Sequence, residues 1–116
     1  MSYATKLLDE CKALAEALTT AGLPTTLSRT KLRVPGAWLR PDSCGPRTLS
    51  GAGEARVSLL LVTQPAGDEE ALKDLAGQLE LALSVVDPVE DVDTSVVLPH
   101  NNNMLPAFRL QLDLDL

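Results

Sequence analysis

Aromatic residues are scarce in this chain: one Trp, one Tyr and one Phe make up 3% of its 116 residues. Base stacking needs aromatic faces, so a stacking platform for nucleic acid is excluded. Positive charge is also the minority, with 10 Lys and Arg against 16 Asp and Glu and a formal net charge of -6. An acidic surface repels phosphates and gains little from counterion release, which argues against tight DNA binding. There is a single histidine, His100, and there are two cysteines, Cys11 and Cys44, far apart in the sequence. That inventory does not make a zinc site. The longest apolar run is the four residues Leu59–Val62, so neither a transmembrane span nor a signal peptide is expected. Assembly in a reducing cytoplasm follows, where a Cys11–Cys44 disulfide is disfavoured.

Hydrophobic residues nonetheless reach 45%, enough for a real core. The length points to one domain, 1–116, which can bury roughly 65% of its unfolded surface without disulfides. With so few aromatics, Leu, Val and Ala must fill that core. The chain is organised around Glu54–Gln64 and the helix that follows it. Ala55, Val57, Leu59 and Leu61 share one face of a strand and Arg56 and Ser58 the other, while from Leu59 to Val62 both faces are apolar, as in a covered central strand. Pro65 and Gly67 then break the ladder. Asp68 is the expected N-cap, and Glu69 and Glu70 suit the positive end of the helix. Leu72, Leu75, Ala76, Leu79, Ala82, Leu83 and Val86 trace the apolar stripe of that helix, with Lys73, Asp74, Gln78 and Glu80 off it. Pro88 closes it.

Residues 3–21 form the first helix, with Leu7, Leu8, Cys11, Leu14, Ala15 and Leu18 on its apolar side and Gly22 and Pro24 as its stop. The polar side lacks the basic character of a membrane anchor, and Cys11 reads as a small core hydrophobe. Residues 25–30 read as a short strand, and residues 31–40 as two strand pieces broken at Pro35-Gly36. Trp38 is either a partly buried anchor of the sheet or a subunit-interface hot spot. Residues 41–53 form the most loop-like segment, containing Cys44. They act either as a mobile hairpin loop or as a segment that orders against neighbouring subunits. No glycine spacing there matches a phosphate-binding motif. The acidic connector 87–93 lacks the turn spacing of a calcium loop. A strand at 94–98, an asparagine-rich turn within the Pro-bounded segment 99–106, and an alternating strand over 107–116 complete the chain. In that last strand Asp113 and Asp115 discourage stray edge pairing.

The expected fold class is α+β: a mostly antiparallel sheet with two amphipathic helices packed on one face. No residue stands out as catalytic, cofactor-binding or metal-ligating. Cys44 and His100 are the one conceivable nucleophile–base pair, and both lie in loops without motif context, so an enzyme is not expected.

The N-terminal helix, PGAWLRP at 35–41, RVSLLLV at 56–62, GDEEALKDLAGQL at 67–79 and the Pro-bounded turn into LPAFRLQLDL at 105–114 together cover most of the chain. In this layout the chain resembles the tail terminator proteins of long-tailed bacteriophages, especially those infecting actinobacteria. The resemblance implies a structural virion protein, assembled in the host cytoplasm, without cofactor or catalysis. Its subunits would form a homo-hexameric ring that caps the tail tube, stops its polymerisation and joins it to the head–neck connector. The implied partners are the major tail tube protein and the head–tail connector protein. DNA would pass through the lumen without sequence-specific binding, and no membrane is involved. Loops 41–53 and 99–106 would offer docking surfaces, and Asp113, Asp115 or the 87–93 connector would face the lumen. The same layout also suits another phage neck, connector or tail-completion protein, and a small cytosolic α+β binding module remains the alternative from a different class.

Overall fold

The computed structural model describes residues 3–46, 53–65 and 67–116. Its elements run α1 (Tyr3–Thr20), β1 (Thr25–Thr26), a 3-10 turn (Arg29–Lys31), β2 (Gly36–Pro46), β3 (Gly53–Val62), α2 (Asp68–Leu83), β4 (Asp93–His100) and β5 (Asn103–Asp115). The architecture is α+β, with one five-stranded sheet in the order β1-β2-β3-β5-β4. β1 joins β2 in parallel and the other three pairings are antiparallel. The mostly antiparallel expectation therefore holds, with the short β1 making the sheet mixed.

β3 is central because it is apolar on both sides where it is covered. Val57, Leu59 and Leu61 face the helices and join Leu39, Leu110, Leu112 and Phe108 with Cys11 and Leu18 of α1 and Leu75 and Ala82 of α2. Leu60 and Val62 point the other way and meet Leu32, Leu98, Leu105 and Ala107 in a second cluster. Both helices thus lie on one face. The segment carrying Leu32 and Val34 covers only part of the other, hereafter the open face. β5 has 13 residues, so at about 3.3 Å each it spans roughly 40 Å and accounts for most of the 50 Å long axis. Helices of 18 and 16 residues reach only about 27 and 24 Å, so they cover little more than half the length of the sheet.

α1 ends as its Gly22 predicts. Gly22 adopts φ +108, its N–H reaches Thr19 O at 3.1 Å, and Leu23 N–H reaches Leu18 O at 3.0 Å, which is a Schellman cap closed by buried Leu18 and Leu23. Gly36 is required at the start of β2, where a Cβ would lie 2.3 Å from the Arg33 carbonyl oxygen.

Several expectations are corrected. Only Thr25–Thr26 of segment 25–30 is strand, and the 31–40 segment becomes strand only from Gly36, because the 3-10 turn and Leu32 are used to cover the open face. The loop expected at 41–53 is strand over 41–46, paired with β3 through a register shift between Pro41 and Ser43 that absorbs the irregular composition. Gly53, its last residue, already belongs to β3, and 47–52 lie outside the described residues. Within 99–106 only Asn101 and Asn102 form the turn, at φ 49 and 66. Two consecutive left-handed residues close a two-residue hairpin, which Asn tolerates, and the flanking residues continue the strands. The N-cap of α2 is Gly67 rather than Asp68, which falls in the first turn. By contrast, β4 pairs β5 only as far as Arg109, so Asp113 and Asp115 pair with β3 alone and lie along an edge of the sheet, as expected for residues that discourage stray pairing.

Candidate interaction surface

The helix-face stripe of α2 is rotated from the expected one. Ala71, Leu75, Gln78 and Ala82 are buried, whereas Leu72 and Leu83 are exposed. The cause is polar. β3 ends at Val62 and Thr63 beneath α2, and their backbone and hydroxyl groups need partners. The Thr63 hydroxyl donates to the Asp74 carboxylate. Gln78 Nε2 donates to the Val62 carbonyl at 3.0 Å and to Asp74 at 3.4 Å. Gln78 is only 7% exposed, and its Oε1 has no partner among the described residues. Leucine spacing alone does not reveal this. The signal was Asp74 and Gln78 sitting four residues apart on one face.

As a result α2 leaves an apolar groove against β4 and β5 at the edge of the sheet. The groove has a volume of about 560 Å³ and is lined by Pro65, Leu72, Val97, Met104, Pro106 and Phe108 among others, with Asp68 at the first turn of α2. Leu72, Val97 and Met104 are 57%, 53% and 60% exposed. Three large apolar side chains left at one rim, beside an outer strand with unpaired backbone groups, are the pattern of a contact surface.

The open face is built differently. Near its covered part, Trp38 is half-buried with the Arg29 and Arg40 guanidinium carbons 5.8 and 5.5 Å from its ring centre, and Arg29 also donates to the Pro99 carbonyl. Further along, Ser58 is fully buried. Its hydroxyl donates to Asp42 at 2.5 Å and accepts from Gln111 Nε2 at 2.9 Å. Asp42 in turn meets Arg40 at 3.3 Å. Arg56 bridges Asp113 and Glu90, each at 3.2 Å. Exposed pairs of this kind contribute little stability, and the single Arg56 charge offsets only one of the two carboxylates it bridges.

Cys11 is buried, and burial together with the neighbouring Glu10 pushes its thiol pKa up. Cys44 is exposed on β2 opposite Ala55, which itself faces Leu114. His100 stands opposite Asn103. Along β5 the Asn103 and Leu114 positions are roughly 35 Å apart at about 3.3 Å per residue, so the strands hold Cys44 and His100 at opposite ends of the sheet. Among the described residues no three His, Cys, Asp or Glu side chains are grouped as metal ligands, and no helix is long and apolar enough to cross a membrane.

These features define a class: an α+β domain whose distinctive surface is an apolar, acid-bordered groove at a sheet edge. No protein-family model matches the chain, and no curated protein or solved structure matches it either.

Proposed function

We propose that the chain is a structural ring subunit of the tail-terminator kind, capping a phage tail tube, stopping its polymerisation and joining it to the head–neck connector. The observation that carries this reading is the exposed rim of Leu72, Val97 and Met104 around the α2–β4 groove. An assembly subunit works through such outer contours, and a closed ring needs surfaces that engage a neighbour by rotation. The overall acidity, net -6, suits a channel through which DNA slides without being gripped. The mostly antiparallel sheet with its two helices is compatible with the sheet-and-helix fold that the resemblance to tail terminators implies.

The test is electron microscopy of purified chain mixed with tail tubes that lack their head-proximal cap. A single ring of this chain at one tube end, with further tube growth arrested, is the expected result. Tubes that continue to lengthen with no density added at either end would overturn the reading.

A further inference from the structure

We propose that copies of this chain join head to tail, the Lys31–Arg33 cleft at the β1 edge of one copy seated on the apolar, Asp68-bordered α2–β4 groove of the next. The argument starts from charge. Residues 29–40 carry Arg29, Lys31, Arg33 and Arg40 with no carboxylate among them, although the chain as a whole is acidic. Residues 68–93 carry nine carboxylates against the one lysine, Lys73. Arg29 reaches the Pro99 carbonyl on β4 and Arg40 pairs with Asp42, while Glu90 and Asp93 pair with Arg56 and Arg109, so the contrast rests on Lys31 and Arg33 against the first turn of α2. Lys31 and Arg33 border a cleft with Thr25, Thr26 and Ala37 at the β1 edge. Asp68 borders the apolar groove with Val97 and Met104 at the β4 edge. β1 and β4 are the two outer strands of the sheet, so the Lys31–Arg33 cleft and the Asp68 end of the groove lie at opposite edges and carry opposite sign.

That polarity selects the mode of contact. A two-fold contact sets a patch against its own copy, which here would place cations on cations or carboxylates on carboxylates. A heterologous contact sets one edge against the other and brings the signs together. Charge of this kind orients the encounter and sets its salt dependence. Burial of Leu72, Val97 and Met104 supplies the salt-independent part. The inference deepens the ring reading and rests on it for closure, since the same contact gives a ring only if the rotation between copies divides a full turn.

The experiment is sedimentation velocity at low and high salt on three proteins: the full chain, the Lys31→Glu/Arg33→Glu variant and the Glu69→Lys/Glu70→Lys variant. The unaltered chain should self-associate at low salt and dissociate as salt rises. Each reversal alone should weaken association by about tenfold or more. Mixing the two variants should restore it, because each retains the edge that the other has lost. As a check independent of folding, carbodiimide cross-linking of mixed light and heavy-isotope chains should join Lys31 of one copy to Asp68, Glu69 or Glu70 of another. A chain that stays monomeric at low salt and high concentration overturns the proposal, as does a mixture of variants that associates no better than either alone. If rings form on tail tubes but ignore both reversals, this contact is wrong and the ring reading survives. If copies chain together in a salt-sensitive way yet never engage a tube, the contact stands and the tail reading falls.

Discussion

α1 and α2 are built from similar residues and lie on the same face of the same sheet, yet they use their leucines differently. α1 buries Leu18 completely and packs Leu7 and Leu14 into the core. α2 buries Leu75 with Ala71, Ala82 and a glutamine, and leaves Leu72, Leu81 and Leu83 exposed. The difference follows from what lies beneath each helix. α1 sits by hydrocarbon on β2 and β3, where Leu18, Leu7 and Leu14 gain by burial, although its Leu8 faces outward at 53% exposed. α2 passes over the end of β3, where the Val62 carbonyl and the Thr63 hydroxyl require a carboxylate and an amide. Satisfying those groups turns the leucine stripe partly outward, because an unpaired buried polar group costs as much as a lost apolar contact gains. One helix therefore stabilises the fold, and the other stabilises it less while presenting apolar surface.

The sharpest way to break this contrast is a matched pair of truncations. Leu18→Ala should cost about 3–4 kcal/mol, the transfer and cavity terms of a fully buried leucine. Leu72→Ala should stay within about 0.5 kcal/mol, as exposed substitutions do, while weakening self-association. Urea unfolding of both variants, with sedimentation of the second, measures each arm. Equal destabilisation by the two would show that α2 packs as α1 does and would remove the basis for a docking role.

A smaller effect separates the polar explanation from a purely steric one. Gln78→Glu replaces the amide donor with a carboxylate facing the Val62 carbonyl and Asp74, so three acceptors meet with only the Thr63 hydroxyl to donate. The expected loss is about 2–3 kcal/mol at neutral pH. It should shrink as pH falls and the new carboxyl regains a proton to donate. Gln78→Leu should cost less, about 1–2 kcal/mol, since it leaves the Val62 carbonyl without its amide donor but adds no charge and removes the orphaned Oε1. Thermal melts of the two variants across acid pH give the comparison, and a Glu variant whose deficit ignores pH would sink the polar account.

Much of the fold was legible in the residues. The alternation of β5, the double-sided apolar run of β3 and the glycine stop of α1 each state a local rule that the sheet and its core obey. What was not legible depended on distant partners. Segment 41–46 has two prolines and a glycine, as a loop would, yet β3 offers it a ladder and a bulge at Asp42 absorbs the misfit. The open face of the sheet needed a cover, so Leu32 and Val34 left the strand expected for them. The groove was illegible for the same reason as the turn of α2: leucine spacing places Leu72 inward, and only the polar groups at the end of β3 place it outward.

The smallest expected effect lies where β4 begins, at the far side of the groove. Asp93 accepts the Ser95 backbone N–H at 3.0 Å and the Ser95 hydroxyl at 3.2 Å, an Asx turn that starts the outer strand. The backbone hydrogen bond from Ser95 is the main reason its pKa lies below the ordinary aspartate value, with the Ser95 hydroxyl and Arg109 adding to it and desolvation opposing. A lowered folded-state pKa means the unfolded chain binds the proton first. The contribution is therefore full above the ordinary aspartate pKa and fades as pH falls through the lowered one. Asp93→Asn keeps an oxygen for the Ser95 N–H but not the charge. Its melting temperature should lie slightly below that of the unaltered chain at neutral pH and converge with it in acid. A gap that persists unchanged into strong acid would mean that Asp93 acts through shape alone, and that the β4 side of the groove is held, like the α1 side of the core, by packing rather than by polar anchoring.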